Sequence, residues 1–353
     1  AAGALANART FGGQHYEGYH TFMALAPAYD MAKDLPDAQK ALPILKVLYR
    51  NATHIQSVGG RKNEALHPVA ATPVPDGKPV SEALQNATRK FDRNAAEGLF
   101  ANLAKEPAAD VFNHVMYFVE DNVDVHRTVL AWRSWAMLEF TGSEHAHTLL
   151  RQSVRFCCHQ YNPKAPTPAI QSILSSLLDQ YKLVGKKLGT RAADDAWVES
   201  LAKVIYGAGR QKAAEAAAAA LAEGFEPAAI ADAMCIAANQ LLLHDPGRAK
   251  QEGAKYVGSV HGDSVGLHAS DAANAWRNIA RVSNPQNTVA SLIVGAYHTG
   301  GQNGGQLKDP YPLAEHREKV KSEDPAVLLK ETEAAIQARD QGLTCAVMKK
   351  YSD

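Results

Sequence analysis

Apolar residues recur along this chain at intervals of three and four, and no stretch sustains the strict apolar–polar alternation of a half-buried strand. In "ALPILKVLYRNATHI", Leu42, Leu45, Leu48 and Ile55 stand at helical spacing. "DVFNHVMYFVEDNVDVHRTVLAWRSWAMLEF" is long and apolar on one side. "SEHAHTLLRQSVRFCCH" follows a turn at Thr141-Gly142, with Ser143 as its N-cap. "PAIQSILSSLLDQYKLVGKKLG" is amphipathic, and "RQKAAEAAAAALAEGF" is alanine-rich, which favours helix strongly. Pro227 sits where a first-turn proline belongs, ahead of "AAIADAMCIAANQLLLHD". "DPAVLLKETEAAIQARDQG" reads as a last, exposed helix.

Two stretches break the helical pattern at length. Residues 59–80 include the proline-rich "PVAATPVPDGKPV", and residues 299–312 carry the glycines of "TGGQNGG". Loops of this length inside a compact domain are often functional. The pattern predicts an all-α fold of antiparallel helical hairpins. It forms one domain over residues 1–353, with a soft seam near 162–168, where "NPKAPTP" interrupts the helices.

Histidine then changes the picture. There are 14, and nine of them fall into a layout that occurs three times. His268 precedes a helical segment, a turn at Ser283-Asn284-Pro285 and a second segment ending at His298. His126 and His159 bracket a similar pair of segments, and so do His20 and His54. Each bracket also has a histidine upstream: His261, His114 and His15, respectively. The tripeptide Ala-Trp-Arg recurs at Ala131-Trp132-Arg133 and Ala275-Trp276-Arg277, and reads as core and surface-network residues rather than catalytic ones.

Geometry gives the brackets a meaning. Two helices of about 14 residues joined by a turn return to their starting point. Packed helices lie about 8–10 Å apart, so imidazoles at the two open ends can converge. Three such hairpins opening on one side would gather His20, His126, His261, His268 and His298, with His15, His54, His114 and His159 as further members. Neutral imidazole is the commonest protein ligand for zinc, copper and iron. The competing explanation is that a histidine at a helix C-terminus is a cap favoured by the helix dipole. It weakens where histidine stands at helix starts.

Acidic and phenolic groups accompany the brackets. "HGDSVGLHASD" supplies Asp263 and Asp271, and on a helix Ser264, His268 and Asp271 share one face. "QHYEGYH" supplies Glu17, Tyr16 and Tyr19. Asp263, Asp271, Tyr19 and Glu17 are therefore the catalytic candidates, as bases or as groups that orient a ligating ring. The four cysteines lack C-x-x-C spacing and read as buried thiols. The dipeptide His244-Asp245 resembles one that all-α phosphohydrolases use in a metal site, and H-E-x-x-H, phosphate-loop and nucleophile-elbow motifs are missing.

Composition narrows the partners. Lys+Arg and Asp+Glu are equal at 37, which argues against nucleic acid as the main partner. No apolar run reaches the roughly 20 residues of a membrane span. "AAGALANA" is not a signal peptide; read as what remains after cleavage at a small-residue site, it favours an exported, periplasmic chain over a cytoplasmic one.

The sequence thus points to a metal-dependent enzyme, an oxidoreductase acting on a small organic substrate through a histidine site for iron, copper or zinc, with haem as a variant. Three alternatives stay open: a helical-repeat scaffold whose histidines are caps, an all-α metal-dependent hydrolase, and a metal-free acid–base enzyme using His268 with Asp271.

Overall fold

The computed structural model describes residues 1–159, 169–253, 257–259, 264–302 and 304–353. Among these residues every named element is a helix, and an isolated bridge pairs Arg191 with Phe225. The N-terminal part holds α1 (Ala2–Phe11), α2 (Tyr16–Met23), α3 (Leu25–Asp34) and α4 (Ala41–Ser57). An irregular stretch leads to α5 (Val80–Arg89), α6 (Arg93–Phe100), α7 (Ala108–Val119) and α8 (Val125–Ala136). The single turn α9 (Leu138–Thr141) and α10 (Ala146–Cys157) complete that half. The second half comprises α11 (Ile170–Gln180), α12 (Asp195–Gly207), α13 (Arg210–Ala222), α14 (Pro227–Leu243), α15 (Val265–Val282) and α16 (Pro285–Gly300). A short α17 (Ala314–Arg317) precedes the closing pair α18 (Pro325–Ala338) and α19 (Gln341–Ser352).

The centre of the second half is α16, buried from Asn287 to Gly300 and packed among α13, α14 and α15. A helix with small or apolar residues on every side belongs at the centre of a core. Alanine and glycine let its neighbours come close. Ala213, Ala214, Ala217 and Ala218 of α13 are fully buried. A Cβ on Gly295 would lie 3.0 Å from the Cβ of Trp276 and 2.6 Å from the sulfur of Met234. The start of α16 is fixed twice. Asn284 caps Asn287 N–H at 2.9 Å, and Asn113 of α7 accepts from Asn284 N–H at 2.9 Å.

Several expectations change in detail. The long apolar segment around residue 120 is two helices, because Asp124 caps a new start: its carboxylate accepts from Arg127 N–H at 2.8 Å. The glycine-rich loop begins after Gly300, since His298, Thr299 and Gly300 complete α16. The helix opening at Asp324 is not the last, as α19 follows it. The seam at 162–168 lies outside the described residues.

The leucine face of α4 is the largest departure. Leu42 and Leu45 are 65% and 60% exposed, and the one buried residue of the helix is Asn51. That asparagine accepts from Asn7 Nδ2 at 2.6 Å and donates to the Gly3 carbonyl at 2.9 Å. A polar network therefore fixes which side of α4 turns inward.

Candidate functional site

The starts of the three histidine brackets meet. His20 lies in α2, His126 in the first turn of α8 and His268 in the first turn of α15. The rings of His20 and His126 have centroids 4.9 Å apart, and those of His126 and His268 are 5.7 Å apart. The Tyr16 ring lies tilted against His20 with centroids 4.2 Å apart, and the buried Tyr19 lies 4.8 Å from His20 and 5.5 Å from His126.

Local capping delivers each ring. His15 starts α2, where its Nδ1 accepts from Gly18 N–H at 3.2 Å, and His20 follows in the last turn. Asp124 starts α8 and places His126 two residues on. Asp245 anchors α15, accepting from Gly266 N–H at 2.7 Å and from Gly247 N–H at 2.8 Å. His244 donates from Nδ1 to the Leu307 carbonyl at 2.8 Å. Backbone contacts thus occupy both members of the His244-Asp245 pair, and they hold α14 against the start of the helix that carries His268.

Hydrogen bonds set the state of the rings. His20 Nδ1 lies 2.7 Å from the Tyr16 carbonyl, which can only accept, so Nδ1 carries the proton and Nε2 keeps the lone pair of the neutral ring. Burial lowers the pKa of His20; the carbonyl bond opposes this, while His126 and His268 lower it further. His126 turns Nδ1 toward Asp124 Oδ1 at 3.8 Å, an ion-pair distance too long for a hydrogen bond. Burial alone would raise the Asp124 carboxyl, but His126 and the Arg127 N–H outweigh it and hold the pKa below the usual value.

His298 occupies a different layer. It is 3% exposed, and its Nδ1 accepts from the indole N–H of Trp276 at 3.3 Å. Trp276 is fully buried, and its N–H needs a partner. Accepting at Nδ1 leaves the proton of the neutral ring on Nε2. Burial lowers the pKa of His298 to about 4, with Asp124 pulling upward and Arg210 and His268 adding to the depression. Asp271 is exposed at the rim. Burial of its inner side raises its carboxyl, against Arg133 and the imidazoles of His268, His126 and His20.

The remaining candidates stand elsewhere. His15 keeps its Nδ1 on Gly18 N–H, with Glu17 3.3 Å from the same nitrogen, and its ring rests against Phe11. His114 pairs with Glu106 at 3.2 Å. His54 sits in the last turn of α4, and the exposed His159 borders a shallow cleft with Gln14 and Arg93. The hairpin ends therefore do not join the hairpin starts, except at α16. His261 and Asp263 lie outside the described residues. The thiols of Cys157 and Cys158 are pushed up by burial to about 11 and about 12, so neither is a ready thiolate.

Among the described residues, no three His, Cys, Asp or Glu side chains form a ready-made ligand set, and no helix is long and apolar enough to cross a membrane. Compared with protein-family models, curated proteins and solved structures, the chain matches none of them. Two contributors to the site were not identified from sequence alone. From sequence, Trp276 reads as core without its bond to His298, and Arg133 as a surface-network residue without its reach to Asp271.

Proposed function

We propose that this chain is an enzyme whose centre is the imidazole cluster of His20, His126 and His268, that the cluster holds a transition metal, and that the substrate is a small organic molecule. The observation carrying this reading is the way two contacting rings are held. His20 donates Nδ1–H to the Tyr16 carbonyl, which leaves its Nε2 as the lone-pair nitrogen, and His126 lies against it with its Nδ1 side facing the Asp124 carboxylate. Ligating histidines are held in this manner, with the second nitrogen fixed by an oxygen acceptor. The ring spacing also suits the role, because two imidazoles on one metal place their centres about 5 Å apart.

Iron or copper would supply oxidation chemistry, and zinc would activate water. Oxidation is favoured because Asp124, the carboxylate beside His126, is committed to capping α8 and is not free to act as a base toward water. His298, with its proton on Nε2, serves behind the cluster. Elemental analysis of untagged protein tests the reading. At least one equivalent of iron or copper per chain is expected, lost on chelation and regained on adding the ion; protein that neither carries nor takes up metal would overturn it.

A metal-free enzyme is the second reading. It is favoured by the lack of a ready ligand set among the described residues and by the raised Asp271 carboxyl one helical turn from His268. Such an enzyme would use Asp271 and His268 as an acid–base pair and would be indifferent to chelators.

A further inference from the structure

We infer that the substrate carries a carboxylate and that Arg133 is the residue that binds it. The inference takes the location of the site from the preceding reading and does not depend on the metal. Arg133 lies two turns beyond His126 on α8, so the two side chains share the face that packs against α15. Arg133 is partly buried. Among the described residues it has no hydrogen bond and no ion pair. The acidic groups within its electrostatic reach are Asp271 and Asp30. Asp30 is taken by Lys33 at 2.8 Å, and Asp271 stands beyond ion-pair distance.

A partly desolvated guanidinium without a partner is unfavourable, and burial lowers its pKa accordingly. Its planar fork matches a carboxylate through two parallel hydrogen bonds. The charge balance favours a carboxylate over a phosphate. One guanidinium offsets one negative charge, and a doubly charged group would also meet Asp271 and Asp124. The exposed ring of Tyr16 beside His20 suits a substrate whose remaining part is apolar or flat.

The test follows histidine ring signals by NMR during titration with acetate, benzoate and the neutral isostere benzamide. In the wild-type protein, a carboxylate is expected to shift the signals of His126 and His268, and benzamide is not. Arg133→Gln should weaken carboxylate binding by about tenfold. Arg133→Lys, which keeps the charge and loses the fork, should fall between. Zn2+ titrated into Arg133→Gln should bind at least as tightly as to wild type, since a repelling charge is gone; a general loss of structure would weaken both. Equal responses to benzoate and benzamide, undiminished carboxylate binding by Arg133→Gln and Arg133→Lys, or no response to either carboxylate in the wild type would each overturn the inference. Arg133-dependent carboxylate binding with no response to Zn2+ would instead defeat the metal reading and leave this one standing.

Discussion

The segments α2–α4 and α15–α16 carry the same histidine bracket in sequence, yet they do different things with it. In α15–α16 both histidines reach the centre of the molecule. His268 joins the imidazole cluster, and His298 lies behind it under Trp276. In the N-terminal copy, His20 reaches the cluster from α2, and His54 stays at the outer end of α4. Burial makes the difference. Alanine and glycine let α13, α14 and α15 close around α16. The helix α4 touches the body through Asn51 and leaves Leu42, Leu45 and the 77% exposed Tyr49 in solvent. Helical spacing brings two histidines to the ends of a hairpin, but the packing of the second helix decides whether the far one arrives anywhere.

The largest expected effect lies in the buried hairpin and depends on pH. The folded pKa of His298 is depressed to about 4 from an ordinary value near 6.5. The unfolded chain therefore takes up the proton first, and stability present above pH 6.5 is lost as pH falls toward 4. The full loss is ~3 kcal/mol. Urea unfolding of metal-free protein at several pH values should show this slope, and His298→Gln should flatten it. His54→Gln should leave it unchanged. A slope that survives His298→Gln would mean that the buried ring does not set the acid limit.

Gly295→Ala comes next. The added Cβ meets Trp276 and Met234 at distances that force one of them to move. Overpacking of this kind costs about 1–3 kcal/mol, and the indole bond to His298 should loosen with it. Thermal unfolding measures the loss, and tryptophan fluorescence reports the movement of the ring. An unchanged melting temperature would contradict the close packing described around α16.

Much of this arrangement was legible in sequence, and the remainder depended on properties that spacing does not carry. Helix positions followed from apolar period and from Pro227 at a first-turn position, while Ser283-Asn284-Pro285, read as a turn, also supplies the cap and first-turn proline of α16. His20, His126 and His268 each opened one of the three brackets in the sequence, and those three rings are the ones that lie together. His54, His114 and His159 did not follow, because spacing does not say which helices are central. The leucines of α4 misled because Asn51 and Asn7 form a buried polar link that a hydrophobicity pattern cannot register. Arg133 was hidden because its meaning lies in the partner it lacks.

Glu120 sharpens the comparison from beneath α16. It is buried, bonded to Ser291 Oγ at 2.9 Å, and burial pushes its pKa well above the usual range, with Asp121 adding to the rise. A raised carboxyl is a cost that appears as pH climbs from the ordinary carboxyl value through the folded one. Glu120→Gln should therefore raise the urea midpoint at neutral pH and leave it unchanged near pH 4. A loss of stability at neutral pH would show the charged form to be favoured. The smallest effect belongs to the outer hairpin. Leu45→Gln should change stability by less than about 0.5 kcal/mol, since the side chain already stands in water; a drop of several degrees in melting temperature would mean that this face is covered.

The most direct test of the central claim is a Co2+ titration followed by visible absorption, run in parallel on wild type, His20→Ala, His126→Ala, His268→Ala and His54→Ala. Wild type and His54→Ala are expected to bind one equivalent with the same spectrum. Each of the three cluster variants should lose at least about a hundredfold in affinity. Equal binding by His126→Ala and wild type, or loss in His54→Ala alone, would contradict a centre built from the starts of the three brackets.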